Sequence, residues 1–529
     1  MENLYSNHAP WEFEVFNNED LPYHTFLYKL PVSCNYPPEP IQYNSSDGNE
    51  DDIVQLPYCV INKEVGNKYW NSIVESLSHP IQSSQELELA IKRYNKRVRE
   101  FTALHYFFQV VDEGERNNFF NNLLPKIIKL ALRLPELVST NIPILKQNSC
   151  RSVSVSQLQV SSLLANAFLC TYWGAGTCPG INFDKLFNSH ARPKREKCVL
   201  EKIRTLCHYF ERITYKEPVG AITFERQYFS NDLPSWHNST HCIKDTKICV
   251  VSNGLIENNS DGFLQVDFAN KNVGGGVLGY GCVQEEIRFI ISPELIVSRL
   301  FTEQLGPTEA LIITGVECFS DYSGYGDTYT WKGNYQDTTP FDKYGRRRTS
   351  IVAIDAIRFT KSTEQYKANN MLRELNKAYA GFYCKLKQPP PIATGNWGCG
   401  AYKGDPKLKS LLQIMACGLC NRDIVYFTFN DDQLCKNLQE MIDFLVRNDI
   451  TIGQLWKYLC WFSETKLKAD RLYTFLQYIH FNTEKHPEEE MHNFSDKQMQ
   501  NTVPKVIRRN ILMNDDIVDE DLSLLFNVQ

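Results

Sequence analysis

From about Val65 onward, apolar positions recur at helical spacing. Trp70, Ile73, Val74 and Leu77 fall on one face, as do Leu87, Ala90, Ile91 and Tyr94. PKIIKLALRLPEL begins with Pro125 at a first-turn position, and SVSQLQVSSLLANAFLCTYW, INFDKLF and LEKIRTLCHYFERI each carry a further apolar face. No strand pattern interrupts the stretch to about Thr214, so the spacing predicts an all-helical domain over 65–217. After Pro218 the pattern changes. GAITFERQ, KICVVS, FLQVDFA, ALIITGVE, SIVAIDA and IVYFTF are short, β-branched and mostly apolar, as strands covered on both faces are. Between them PELIVSRLFTE, EQYKANNMLRELNKAYAGFY, PKLKSLLQIMACGLC and DDQLCKNLQEMIDFLVRN read as helices. Strands alternating with helices predict a three-layer α/β/α domain over 218–465. Residues 1–64 hold two β-like pieces, YHTFLYKLPV and VQLPYCVI, around the polar stretch Asn44–Asp52; they read as an extended arm on the surface. Residues 466–529 read as a tail, partly disordered, polar after about His486.

Charge changes this picture more than composition does. Lys and Arg number 56 against 62 Asp and Glu, a net charge of −6. Such a chain is no general binder of nucleic-acid backbones, so a nucleotide-like ligand must be held by a local pocket. At 43% hydrophobic and 22% charged residues, most of the chain is globular rather than disordered. The best apolar run, Val160–Trp173, is broken by Ser161, Ser162 and Asn166 and falls short of the ~18 residues of a membrane span. The first residues lack the basic and apolar regions of a signal peptide, and 17 scattered cysteines suit packed thiols in a reducing compartment. The expectation is a soluble monomer, nuclear and/or cytoplasmic. The basic run Arg192–Lys197 fits either a solvated loop or a nuclear-import signal. Cys417 and Cys420, a C-x-x-C without a second pair or a histidine nearby, read as packed thiols, and no metal site is expected.

Three segments carry candidate chemistry, each at a predicted strand end. In LQVDFANKNVGGGVLGYGCVQEEIRF a strand ends at Asp267, followed by Asn270, the triple glycine Gly274, Gly275 and Gly276, then Gly279 and Gly281. Gln284, Glu285 and Glu286 then open an apolar helix. Glycines let backbone N–H groups approach a diphosphate, and ligands of α/β sheets sit outside the carboxyl ends of strands. Two acids at a helix start are also favourable by dipole alone, at ~0.3–1 kcal/mol, so by themselves they fit a helix start as well as an active site. The second segment, TGNWGCGAY, places Gly395, Gly398 and Gly400 ahead of a helix starting near Pro406, as an anion cradle or an ordinary turn. The third is aromatic: Tyr322, Tyr325, Tyr329, Trp331 and, at the end of IVYFTF, Phe429. A ring beside a phosphate cradle stacks a base, worth ~1–3 kcal/mol, whereas a ring at a strand end equally fits a core.

The segment VDFANKNVGGGVLGYGCVQEEIRF resembles the signature of the poly(ADP-ribose) glycohydrolase family: a triple glycine, seven residues, then Gln-Glu-Glu. YNKRVREFTAL, SLLANAFLCTY, INFDKLF, SPELIVSRLFTE, LIITG, TGNWGCGAY and RDIVYFTF are similar to the same family, in its animal-type catalytic region, over about 65–465. The resemblance implies a macrodomain, an ADP-ribose-binding fold, with a helical accessory domain packed against it. It implies cleavage of the ribose–ribose O-glycosidic bonds of poly(ADP-ribose) on modified proteins, ADP-ribose as product, no cofactor, and a place in the DNA damage response. Carried over, Glu286 is the catalytic acid/base, Glu285 fixes ribose hydroxyls, and Asp267 is the third acid. Ile256 and Glu257 correspond to the adenine pocket, Asn270 and Gln284 to ribose and active-site contacts, and Gly275 and Gly276 to substrate-binding glycines of the catalytic loop. Tyr325 corresponds to a tyrosine closing over diphosphate and ribose. Asn396, Trp397, Gly398, Cys399, Gly400 and Ala401 form the diphosphate loop, and Tyr402 stands where Phe is usual. Phe429 corresponds to the ring stacked on adenine.

The chemistry of the residues agrees. Glycosidic cleavage passes through an oxocarbenium-like centre and needs a proton on the leaving oxygen. Glu286, if partly buried, would hold that proton and afterwards activate water. Two other readings stay open: a non-catalytic reader of ADP-ribose, and a hydrolase of the protein-linked terminal unit.

Overall fold

The computed structural model describes residues 23–33, 35–42, 52–59, 63–174, 176–189, 196–386, 388–465 and 467–482. Nearly all of Asn44–Asp52, most of Arg192–Lys197 and everything after Asn482 lie outside the described residues. Nine strands make one mixed sheet: β1 (His24–Phe26), β2 (Arg151–Ser156), β3 (Ala221–Tyr228), β4 (Ile248–Val251), β5 (Leu264–Ala269), β6 (Glu309–Thr314), β9 (Ser350–Asp355), β10 (Ile392–Gly395) and β11 (Ile424–Phe427). Their spatial order is β1-β2-β3-β6-β9-β5-β10-β11-β4. The five strands from β9 to β4 run parallel, whereas β2, β3 and β6 join antiparallel. A separate hairpin pairs β7 (Ser320–Ser323) with β8 (Thr330–Asn334).

Every residue of β9, β10 and β11 is buried, which is why β9 and β11 read as apolar runs rather than alternating ones. One core packs Phe168, Phe210, Phe289, Leu311 and Ile351 together; the other packs Leu264, Val352, Met371, Leu412, Leu438 and Phe475. Helices thus cover both faces, and the α/β/α layering holds. Five helices matter below: α1 (Gln157–Phe168), α2 (Glu196–Tyr215), α3 (Gln284–Ile291), α4 (Pro406–Leu419) and α5 (Leu472–Asn482). No helix among the described residues is long and apolar enough to cross a membrane.

Three features depart from the sequence expectation. The stretch expected to be wholly helical contains β2, whose RSVSVS alternation was submerged in the helical run that follows it. The boundary is Ser156: its Oγ accepts the Gln159 N–H (3.1 Å) and Gln159 Oε1 accepts the Ser156 N–H (2.9 Å), a reciprocal cap that starts α1. The arm contributes β1, paired with β2, followed by fully buried Leu27 and nearly buried Tyr28. Part of what read as tail is α5, with Leu472, Phe475, Leu476 and Ile479 buried against the second core.

Between helical layer and sheet lies a buried polar knot. Glu294 is wholly buried; Gln157 Nε2 donates to it (2.7 Å), as does the Glu317 N–H (2.9 Å). Glu317 in turn binds Arg212 and Arg347, both at 2.9 Å. Burial, and then the Glu317 charge, push the Glu294 carboxyl from 4.5 up to about 8. A carboxyl raised in the folded state keeps its proton there while the unfolded chain has lost it. Stability therefore falls as pH rises from about 4.5 towards about 8. Glu294→Gln is expected to remove that dependence, about 1.4 kcal/mol per pH unit for one proton, in unfolding transitions measured across this range. Equal slopes for both proteins would show Glu294 ionised in the fold.

Candidate functional site

At the carboxyl ends of the parallel strands opens a cavity of about 510 Å³. Gly254–Glu257 enter it after β4, Phe268–Asn270 at the end of β5, Gly395–Tyr402 after β10, and Phe427 and Phe429 at and after β11. Val283–Ile287 from the start of α3, and Tyr322 and Tyr325 from the hairpin, complete the wall. Its volume suits a ligand of nucleotide size, and the position is the one α/β sheets favour. No lysine or arginine is among the lining residues, so an anion there depends on backbone N–H groups and neutral side-chain donors.

The two glutamates are held by the glycine loop. Glu285 is 3% exposed; its Oε1 accepts the Gly274 N–H (2.6 Å) and its Oε2 the Asn270 N–H (2.9 Å). Glu286 is 7% exposed; its Oε1 accepts the Gly276 N–H (2.9 Å) and its Oε2 the Val283 N–H (3.0 Å). Glycine is required for this wrap. Gly274 and Gly275 adopt φ of +86° and +44°, a region costly to other residues. Asp267 lies behind the pair. It is buried, both its oxygens lack a hydrogen-bond donor among the described residues, and it does not line the cavity. Burial, and then the Glu286 charge, push its carboxyl well up, while Arg288 pulls the other way. Glu285 is also raised, by burial first and then by Asp267 and Glu286, against the two N–H bonds it accepts. Burial and like charge at close quarters thus favour the protonated forms of Asp267 and Glu285 over those of free carboxyls.

The other expected residues separate into contacts and supports. Gly275 and Gly276 are supports behind the carboxylates, not cavity wall. Gln284 spends its side chain on β5: Oε1 accepts the Phe268 N–H (2.8 Å) and Nε2 donates to Val266 O (3.1 Å), tying α3 to the strand end. Asn270 Nδ2 donates to the Tyr402 hydroxyl (2.8 Å), and its Oδ1 accepts the Asn272 N–H (3.0 Å). Trp397 was expected among the ligand contacts. Trp397 does line the cavity, but its indole is buried, donating to Ile354 O (2.9 Å) with the Lys409 ammonium 3.7 Å from the ring centroid.

The Asn396–Ala401 loop turns its carbonyls inward. Gly395 O, Asn396 O, Gly398 O and Gly400 O accept the N–H groups of Trp397, Cys399, Gly404 and Lys403 at 2.7–3.1 Å. Gly398, at φ +73°, has no room for a side chain, since a Cβ would lie 2.6 Å from that of Ala356. The start of α4 is not free to serve as the cradle, because Asp405 already accepts the Lys407 N–H (2.9 Å). The loop itself faces the cavity.

At the far end, Ile256 packs with Phe263, Ala393, Val425 and Phe427 as an apolar wall. Glu257 beside it accepts the Tyr322 hydroxyl. Phe429 is 49% exposed, which excludes the core reading, and stands 5.3 Å from the Tyr325 ring. Phe429 and Asn430 hold φ of +59° and +61°, a strained turn that lifts the ring away from the sheet. The Tyr325 hydroxyl accepts the Gln284 N–H (3.3 Å), linking the hairpin to the start of α3. Sequence reasoning missed Tyr322 as a wall residue, although its aromatic segment had been singled out. It also missed Arg299, whose guanidinium is buried and donates to Val273 O and Gly275 O (both 3.1 Å). Nothing in the pattern SPELIVSRLFTE marks that arginine.

Two family profiles match this chain: Poly (ADP-ribose) glycohydrolase, helical domain, over residues 111–226, and Poly (ADP-ribose) glycohydrolase, macro domain fold, over residues 233–436. Poly(ADP-ribose) glycohydrolase 1 of Arabidopsis thaliana is 31% identical, covering 79% of this chain and 95% of its own length. Probable poly(ADP-ribose) glycohydrolase 2 of the same plant is 32% identical, covering 68% of this chain and 81% of its own. Poly(ADP-ribose) glycohydrolase 2 of Caenorhabditis elegans is 31% identical over 70% of this chain and 77% of its own.

Proposed function

The chain belongs to the poly(ADP-ribose) glycohydrolase family, and from that premise we propose that it hydrolyses the ribose–ribose O-glycosidic bonds of poly(ADP-ribose), releasing ADP-ribose, with Glu286 as general acid/base. The observation that carries this reading is the pair of buried glutamates fastened by glycine N–H groups at one end of a cavity whose other end is aromatic and apolar. Adenine lies between Phe429 and the Ile256 wall, with Glu257 at its edge. The diphosphate runs along Asn396–Ala401 under Tyr325, and the distal ribose reaches Glu285 and Glu286. Glu286 in its acid form gives its proton to the departing ribose oxygen as the bond to the anomeric carbon breaks. The oxocarbenium-like centre takes up water, whose proton passes to the Glu286 carboxylate and restores the acid. Glu285 holds ribose hydroxyls, and the raised proton affinity of Asp267 and Glu285 lowers the negative charge packed around Glu286. The chain acts as a monomer in the nucleus and/or cytoplasm.

Release of free ADP-ribose from automodified polymer by the purified protein tests the activity; ADP-ribose binding without release would make it a reader. Phe429→Ala is expected to weaken ADP-ribose binding by ~1–3 kcal/mol, roughly 5- to 150-fold, in a calorimetric titration. Unchanged affinity would remove Phe429 from the adenine site.

A further inference from the structure

We propose that Lys202, on helix α2 of the accessory layer, is a positioning residue for Glu286, so that the accessory helix completes the catalytic apparatus. The inference rests on the function proposed above.

The loop that wraps the glutamates has few means of holding its own shape. Five of the eight residues from Gly274 to Gly281 are glycines, and two of these sit at positive φ. A glycine loop contributes no side chains to fix itself, and its backbone freedom must be removed from outside. Two buried cations do this. Arg299 takes the carbonyls of Val273 and Gly275, at the front of the loop. Lys202, wholly buried, donates from Nζ to Gly279 O (2.8 Å) and Gly281 O (2.7 Å), at the back.

The back of the loop sets Glu286. Its two carboxylate oxygens are held by the N–H groups of Gly276 and Val283, which flank the segment Lys202 grips. Within that segment the N–H groups of Gly279 and Gly281 both return to Gly276 O, at 2.9 and 3.0 Å. A Cβ on Gly281 would lie 2.5 Å from Glu286 Oε1, so this backbone rests against the carboxylate itself. A shift of the Gly279–Gly281 carbonyls is therefore a shift of both donors to Glu286. If α2 were only a cover for the sheet, an apolar side chain at 202 would serve, without the cost of burying an ammonium.

The same helix also grips the tyrosine hairpin. Glu201 accepts the Trp331 N–H (2.9 Å), and the Thr205 hydroxyl lies 2.9 Å from that of Tyr329. Arg212 donates to Asn334 Oδ1 (2.5 Å) and Tyr335 O (3.1 Å). Positions 201, 205 and 212 recur at helical spacing, so one face of α2 holds the hairpin carrying Tyr322 and Tyr325 while neighbouring Lys202 holds the loop.

The test is Lys202→Met, which keeps length and removes the ammonium with both of its hydrogen bonds to the loop. The expected result is a fall in kcat of about 30-fold or more, the scale of losing catalytic alignment, with ADP-ribose affinity within about threefold of wild type. Hydrogen–deuterium exchange is expected to quicken in peptides covering 274–283. Turnover within threefold of wild type, affinity falling in step with kcat, or unchanged loop exchange would each overturn the proposal. Should the methionine variant fail to fold, Lys202→Gln, which retains a donor, is expected to show an intermediate kcat; a wild-type kcat there overturns it equally. If wild type itself releases no ADP-ribose, the proposed function falls, while the exchange measurement still decides whether Lys202 clamps the loop.

Discussion

Glu286→Gln is expected to lower ADP-ribose release from polymer by about 10²–10⁴-fold, the contribution usual for a positioned acid/base, while ADP-ribose binding stays within about threefold. The substitution is nearly isosteric, but it does two different things to the site. It removes the only carboxyl of the cluster that both lines the cavity and accepts the Gly276 and Val283 N–H groups. It also leaves one of those N–H groups facing an amide NH₂, so one bond is lost, at a stability cost of about 1 kcal/mol. The apolar wall at Ile256, the Asn396–Ala401 loop and Phe429 are untouched, which is why binding and turnover part company. Calorimetric affinity beside a release assay measures both. Affinity collapsing together with turnover would make Glu286 a structural brace, and retained turnover would place the acid elsewhere, with Glu285 the next candidate by its contact with the cavity.

What was legible in the sequence was local and contiguous. Gly274, Gly275, Gly276, Gln284, Glu285 and Glu286 lie within thirteen positions, so the motif and the three-dimensional arrangement nearly coincide. β9 and β11 were legible because both faces are covered, which turns each into an apolar run. β10 was not, because IATG is four residues long and ends in the glycine that begins the loop. Phe429 was ambiguous at a strand end, and only its backbone turn decides that the ring faces the cavity. Asp267 was placed among the catalytic groups by resemblance, but its distance from the cavity surface depends on how deep β5 lies under α3. Lys202 and Arg299 were beyond reach. Each looks like the polar residue of an amphipathic helix, and each meets carbonyls 24 to 119 positions away, a relation with no trace in spacing. Long-range contacts to backbone carbonyls select no residue type at the accepting end, so no pattern records them.

Gly275→Ala is expected to abolish turnover as completely as loss of Glu286, and to cost stability as well. Its φ of +44° alone costs an alanine ~1–2 kcal/mol. The steric term is larger. A Cβ would lie 2.5 Å from Glu285 Oε2 and 2.7 Å from Glu286 Oε1, and neither oxygen can retreat. Glu285 is fastened to the Asn270 and Gly274 N–H groups, Glu286 to those of Gly276 and Val283. The methyl therefore displaces both carboxylates or springs the loop, and a displacement near 1 Å costs about 10²-fold in rate by itself. Gly176→Ala separates the two causes: that glycine has φ +53° but nothing within 4 Å of the added carbon. It is expected to lose stability on the scale of backbone strain and to keep its activity. Thermal unfolding and polymer hydrolysis measured on both variants decide the matter. Were Gly275→Ala to lose no more than Gly176→Ala, the glycine loop would owe its composition to backbone conformation alone, and the carboxylates would not be pressed against it.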